Sequence, residues 1–551
     1  MGAIRSDAGR GREHGIRRRP VGHHEDVQTR IIGRTPRSSA LSGARRAREL
    51  DALADAGEVA LLVVGGGITG VGIALDAASR GLRTVLVERL DLAHGTSRFS
   101  SKLVHGGLRY LASGQVGIAH ESAAERHLLL TRTAPHLTRA LAQIVPLYDP
   151  GAVTQGAYIG LGYELGDGLR RAVRTPGSVL PAPGAIGRAT TLRLAPAVRG
   201  DGLRGGVRGW DGQLIDDARL VVAVARTAAG FGASILTRVE AVSVTGSGAR
   251  LHDLVTGATL GVQARAVVNA TGVWAGDLDP DVRLRPSRGT HLVVATERLA
   301  GSDVSLTVPI PGSSSRFVFT LPAVHGRTYI GITDVPVDGP VPDVAHASDA
   351  EVDELLGVVN TVLESPLTHA DVLATYAGLR PLLAGDVDDD TSDLSRRHAI
   401  LESGIGVLSV VGGKLTTYRR MAEDAVDAVI RRDPSFPSHP SPTRGLPLVG
   451  AWPRPRLGEV DAAPRLVRRY GAEAPYVAGL ADGPWAARGV TAQELEWGVR
   501  VEGALSLDDL LDRRTRLGLV PADRDASMDA AAAAFARAGV DPVDVQTEVL
   551  G

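Results

Sequence analysis

Residues 59–88 read VALLVVGGGITGVGIALDAASRGLRTVLVE, and three successive patterns inside them decide the fold. An apolar β run at 59–64 enters Gly65-x-Gly67-x-x-Gly70, an Ala-rich helical stretch follows, and a second β run at 84–87 ends at Glu88. Gly65 permits the tight turn, Gly67 lets the backbone approach a pyrophosphate, and Gly70 lets the helix pack on the strand, with the phosphates on the helix N-terminus. Glu88, separated from Gly70 by 17 residues, is placed to accept hydrogen bonds from a ribose. A Gly-rich turn alone would be weak evidence. With strand, helix, second strand and acid in register, the expected ligand is FAD or NAD.

The next segment separates the two. A nicotinamide enzyme usually continues with more βα units, whereas here a polar loop dense in hydroxyls and cations, GTSRFSSKLVHGGLRY, occupies 95–110. Further along come ATGVWA at 270–275, RGTHLVV at 288–294, GITDV at 331–335, GLRPL at 378–382 and GGKLTTYR at 412–419. On the loop's SSKL-x-HGGLRYL and these five later motifs, in this order, the chain resembles the FAD-dependent glycerol-3-phosphate dehydrogenases over roughly residues 57–545. The resemblance implies FAD contacts from Thr96, Ser97, Ser101, Lys102, Leu103, Gly106, Thr271, Gly272, Gly413, Lys414, Leu415 and Thr416, beside those of Gly65, Gly67, Gly70 and Glu88. It implies a substrate pocket of Arg109, Tyr110, Thr333 and Arg380. It also implies oxidation of glycerol 3-phosphate to dihydroxyacetone phosphate, with electrons passed to a quinone or, as in related oxidases, to O₂.

Within that frame His291, in RGTHLVV, is the obvious titratable group on a strand and the expected base, with Arg380 and Lys414 completing the catalytic set. A base must be neutral to accept a proton, so the rate should rise with pH through its pKa and then level off. The bland reading of His291 is a satisfied core histidine. Lysine usage is a clue independent of the resemblance: of 61 basic residues only Lys102 and Lys414 are Lys, and both lie in motifs. A chain that otherwise uses Arg has kept a compact ammonium where a planar fork would not substitute. Lys414 reads as a flavin or substrate contact, and Lys102 more as a loop-ordering cation than as a direct contact. His105 reads as support for the backbone near the flavin.

The pattern implies an α/β chain: a Rossmann-like FAD-binding domain in discontinuous segments, with an inserted antiparallel-sheet substrate domain, over 57–433. Buried strands at 264–270 and 406–411 deliver Thr271-Gly272 and Gly412-Gly413-Lys414, the latter followed by a helix at 415–430. Runs at 316–321 and 327–333 joined by Pro-Ala-Val-His-Gly signal a hairpin of the inserted sheet. This is the arrangement of D-amino-acid oxidases. Residues 434–447, rich in Pro and Ser, read as a linker. Residues 448–551 read as a helical domain with helices at 465–470, 491–501, 507–517 and 527–538. Its LDRRTRL at 511–517, interleaved with Asp508, Asp509 and Asp512, reads as a salt-bridged helix face. Gly160-Leu-Gly-Tyr-Glu-Leu-Gly166 has the wrong spacing for a nucleotide loop and reads as packing or turn.

With 551 residues, two or three domains are expected, and 44% hydrophobic with 22% charged content is ordinary for a globular protein. The net charge of −1 offers no field for nucleic acid. With no cysteine there is no disulfide framework, thiolate metal site, redox pair or cysteinyl flavin; no metal site is expected. Residues 1–50 hold twelve Arg and five acids without a sustained apolar period and read as a disordered basic tail. Arg17-Arg18-Arg19 is followed by polar residues, not by the apolar region of an export signal. No stretch approaches the ~18 to 20 apolar residues of a membrane span, so the expected location is cytoplasmic, with any membrane contact peripheral. A homodimer is compatible with the sequence. Two rival classes are an amine oxidase of the D-amino-acid or sarcosine oxidase kind and a non-catalytic or RNA-binding flavoprotein using the basic tail.

Overall fold

The structure, a computed structural model, describes residues 38–55, 57–107, 114–149, 151–313, 316–384 and 398–543. The apolar runs of the cradle become the strands Glu58–Val64 and Thr84–Glu88, which pair in parallel around the helix Ile68–Ser79. They form the middle of a sheet whose order is His398–Glu402, Leu408–Gly412, Thr259–Asn269, Glu58–Val64, Thr84–Glu88, Ser234–Thr237. The five strands from Leu408–Gly412 to Ser234–Thr237 are mutually parallel; His398–Glu402 runs antiparallel at the edge. Leu61, Leu62 and Val63 have no exposed surface, as expected for a central parallel strand covered on both faces. A Cβ on Gly70 would lie 1.9 Å from the Gly65 carbonyl oxygen. The third glycine therefore sets how closely the helix approaches the turn.

The hairpin Phe317–Pro322 and Arg327–Gly331 belongs to a second sheet, ordered Val335–Pro336, Ser287–Ala295, Arg327–Gly331, Phe317–Pro322, Ser305–Pro309, Thr138–Tyr148, Leu203–Leu214, Leu103–Val104. The strand Val372–Arg380 lies antiparallel on Ser287–Ala295. Its pairings are antiparallel except where Ser305–Pro309 meets Thr138–Tyr148. Two sheets of different type, threaded alternately by one chain, bear out the discontinuous α/β architecture.

Three expectations change. Residues 43–50 are not disordered: Gly43–Ala54 is a helix, capped by the Ser42 side chain on the Arg45 amide. It docks through Leu50, Leu53 and Arg46, whose guanidinium donates to the Thr237 carbonyl and pairs with buried Asp253. Of the two readings of the glycine-rich stretch at 160–166, packing or turn, the turn gives way: it is the middle of the helix Ala152–Ala172, where Tyr163 packs across Gly209 and donates to Gln143 at 3.1 Å. The segment 434–447 is not a free linker. Phe436 and Leu446 are buried, and Ser441 and Thr443 both donate to Asp76 on the cradle helix.

Beyond it, the helices Pro464–Tyr470, Ala492–Arg500 and Met528–Ala538 appear where expected, but the run at 507–517 is a π-helical turn, Asp509–Thr515, followed by a short 3-10 turn. Leu495, Val499, Leu510, Leu511, Ala531 and Phe535 form the core of this part.

Candidate active site

A cleft of about 1020 Å³ runs from the C-terminal ends of the parallel strands to the inner face of the second sheet. This is the crevice at which parallel sheets bind nucleotides. At one end it is lined by Gly65, Gly67, Glu88, Thr271 and Gly272. The Glu88 carboxylate accepts from the Gly66 amide at 2.6 Å and the Leu90 amide at 2.8 Å, which orients it toward the cleft. The Ser97 hydroxyl accepts from the Ile68 amide at 2.9 Å, so an oxygen sits at the anion-favouring end of the cradle helix. Gly272, with φ of +65°, has nothing within 4 Å of an added Cβ. Size, a helix N-terminus opening at a glycine N-cap, carboxylate and glycine-lined floor fit an extended dinucleotide such as FAD. Gly70 serves the cradle's packing, as its spacing implied, and is not a lining residue.

At the other end Arg380, Thr333, Gly413, Lys414, Leu415, Thr416, Ser101 and Leu103 line the same cleft. Arg380 closes the strand Val372–Arg380 and lies across Gly289 of the neighbouring strand; a Cβ there would meet its Nη2 at 2.4 Å. Its guanidinium donates to Asp334 at 3.0 Å, to the Ser287 hydroxyl at 3.2 Å and to the Thr333 carbonyl at 3.2 Å. The Thr333 hydroxyl donates to Glu351, which also receives Thr290 and pairs with Arg288. Although burial favours its neutral form, these bonds and the Ser348 amide hold the Glu351 carboxyl down to about 2. Lys414 donates to the Ser122 hydroxyl at 3.1 Å, just ahead of the turn Leu415–Thr417 that leads into the helix Tyr418–Arg432. Thr96 donates to the Leu379 carbonyl at 2.6 Å, tying the loop after the second strand to the strand that carries Arg380.

His291 is fully buried and is not a lining residue. Its ring stacks on Tyr376 with centroids 4.6 Å apart, and its Nε2 shares a hydrogen bond with the Ser101 hydroxyl at 2.9 Å. Burial first, then Lys102 and Arg380, hold its pKa well below 6.5. The acid limb expected from an ordinary imidazole therefore moves to lower pH, and His291 reaches the cleft through Ser101.

Lys102 and Gly106 are also not lining residues. Lys102 is buried, pairs with Asp217 at 3.2 Å, donates to the Ser100 and Arg98 carbonyls, and lies over the Tyr376 ring. Burial pushes its ammonium down to about 8 against the pull of Asp217. It orders the loop from beneath, the role its sequence context favoured. The Gly106 amide donates to Asp211, and a Cβ there would press on the Arg126 guanidinium. Arg109 and Tyr110 lie outside the described residues. His105 is a lining residue.

The sequence reading missed Gln143, Tyr163, Asp211, Trp274, Arg316 and Phe319, all of which line the cleft. Gln143, Tyr163, Asp211 and Phe319 sit on strands or a helix without a motif, and strand alternation alone does not say which face looks onto the site. Trp274 lies within the ATGVWA motif, and Arg316 immediately precedes the strand Phe317–Pro322. Among the described residues no group of His, Asp and Glu is arranged to hold a metal ion.

Residues 60–419 match the family model described as FAD dependent oxidoreductase, and residues 441–539 match that of the C-terminal domain of alpha-glycerophosphate oxidase. The chain is thus an FAD-dependent oxidoreductase, and FAD is its cofactor. Glycerol-3-phosphate dehydrogenase 1 of Mycobacterium tuberculosis is 52% identical over 506 residues, covering 89% of this chain and 97% of that protein. The mitochondrial glycerol-3-phosphate dehydrogenase of Macaca fascicularis is 34% identical over 527 residues, covering 86% and 70%. The X-ray structure of the glycerol-3-phosphate dehydrogenase from Bacillus halodurans complexed with FAD is similar at a TM-score of 0.70, with 28% identity over 90% of this chain and 94% of that one. Within its class, the chain belongs to the glycerol-3-phosphate dehydrogenase family.

Proposed function

We propose that this enzyme oxidises sn-glycerol 3-phosphate to dihydroxyacetone phosphate and passes the electrons to a quinone at a membrane surface. The observation that carries the substrate reading is that Arg380, Thr333 and Lys414 line one end of the cleft whose other end is the dinucleotide cradle. A phosphate dianion wants fixed cations, and a guanidinium meets it bidentately. When bound, FAD supplies a hydride acceptor for the hydrogen on C2. Arg380, oriented by Asp334, Ser287 and the Thr333 carbonyl, binds the phosphate or polarises the alcohol oxygen, with Arg109 and Tyr110 as further substrate contacts. Lys414 fixes substrate and cofactor relative to each other. The alcohol proton passes to the Ser101 hydroxyl as that hydroxyl gives its own proton to His291 Nε2. Burial beside Lys102 and Arg380 disfavours a charged imidazole, so His291 accepts the proton only as the hydride leaves.

The acceptor reading has its own support. Tyr158, Leu161 and Leu165 on the helix Ala152–Ala172 are 59%, 61% and 54% exposed and line the same cleft. Apolar side chains left in solvent at a cleft mouth mark a contact surface, and they suit an apolar acceptor and the edge of a bilayer. Among the described residues no helix is long and apolar enough to cross a membrane. Changing Leu161 and Leu165 together to Glu is expected to abolish sedimentation with phospholipid vesicles. The same change should cut turnover with a vesicle-embedded quinone by about tenfold or more, as for an interfacial helix that loses its apolar face, while anaerobic reduction by substrate stays at the parent rate. Unchanged quinone turnover, or faster turnover with O₂ than with quinone in the parent, would overturn the acceptor reading.

A further inference from the structure

The loop that follows Glu88 has two faces. Its front, from His94 to Ser97 and from Phe99 to Ser101, lines the cleft. Its back is held by the LDRRTRL segment of the C-terminal domain. Asp91 has no exposed surface and receives Arg513 Nε at 2.6 Å and both terminal nitrogens of Arg514 at 2.8 and 2.9 Å. Arg516 donates to the Arg98 carbonyl at 2.8 Å, the same oxygen that Lys102 reaches from below. Asp512 pairs with the Arg98 guanidinium, which in turn donates to the His94 carbonyl at 2.8 Å. The Ala93 amide, one residue before His94, donates to the Gly66 carbonyl inside the cradle.

A short chain of hydrogen bonds therefore connects the arginines of the C-terminal domain to the floor of the flavin site. These contacts are costly to break and directional. An aspartate buried without counter-ions would not stay charged, and a guanidinium spent on backbone carbonyls fixes their orientation, not merely their proximity. From this connection we infer that Arg513, Arg514 and Arg516, with Asp512, are positioning residues for the flavin loop, so that the C-terminal domain sets how tightly FAD is held. Domain attachment alone does not require the pairing to converge on this loop. Arg219 with Glu502, and Arg226 with Glu473, already join the two parts elsewhere.

The test uses the full-length apoprotein and FAD itself. Arg516→Gln should raise the dissociation constant for FAD by about tenfold, the ratio expected for loss of one charge-assisted hydrogen bond. It should also alter the visible circular dichroism of the bound flavin and shrink the rise in melting temperature that FAD produces. Asp512→Asn, at a side chain 24% exposed and so tolerant of change, should shift the same quantities in the same direction by about threefold, as for a weaker, partly solvated pair. If the arginines serve only as glue between domains, apo and holo forms melt lower by equal amounts while FAD affinity and dichroism stay those of the parent. That result in Arg516→Gln overturns the inference. If Arg516→Gln does not fold, an FAD affinity of Asp512→Asn equal to the parent's overturns it alone.

Discussion

Replacing Arg380 by Lys is expected to leave FAD bound and to slow its reduction by glycerol 3-phosphate ~10² to 10³ fold, the range seen when one preorganised donor is removed from a reacting centre. The size of the effect follows from geometry, since charge is conserved. Asp334, Ser287 and the Thr333 carbonyl hold the guanidinium plane at the cleft wall. An ammonium in its place keeps a point charge but loses the planar fork and the orientation that these three partners impose on it. Stopped-flow reduction normalised to bound flavin measures it. A variant reducing within threefold of the parent would remove Arg380 from the substrate site.

Ser101→Ala and His291→Asn should each slow flavin reduction by ~10² fold, the lower end for general base catalysis because a base of depressed pKa is weak. The double variant should be no slower than either single one, since two groups that pass one proton act as a unit. With its pKa held well below 6.5, His291 is neutral at and above that pH. The reductive rate should therefore be flat upward from about 6.5, the ordinary imidazole value, and fall only at lower pH where the ring protonates. A core role predicts a different pattern: His291→Asn would lower the melting temperature and flavin content and leave the rate per bound flavin intact. A rate limb centred at the ordinary imidazole value would contradict the buried placement.

The cradle was legible because its physics is local. Six residues of apolar strand, three glycines at fixed spacing and an acid after the second strand decide it without reference to the remainder of the chain. The alternation of motif strands also revealed two sheets built from discontinuous segments. Features that failed to show depend on distant partners. The helix Gly43–Ala54 carries only Leu50 and Leu53 as large apolar anchors, and its third anchor, Arg46, finds Asp253 across the fold. Local charge pattern pointed to a salt-bridged face at 511–517, but the decisive acid, Asp91, is more than 400 residues away in sequence. Helix Ala152–Ala172 was hidden by its glycines, which ordinarily disfavour helix; its anchor is Tyr163, which packs across Gly209 and donates to Gln143 on distant strands. For His291 the strand was clear but not the partner, since which neighbour receives an inward side chain is set by sheet register.

The central claim is that the cations at the end of the cleft opposite the dinucleotide cradle select a phosphorylated alcohol. Anaerobic mixing of the holoenzyme with glycerol 3-phosphate, glycerol, sarcosine and a D-amino acid, followed by the flavin's visible absorbance, tests it most directly. The account predicts rapid bleaching by glycerol 3-phosphate, far slower bleaching by glycerol, and none by the two amines. Bleaching by an amine with glycerol 3-phosphate inert would contradict it.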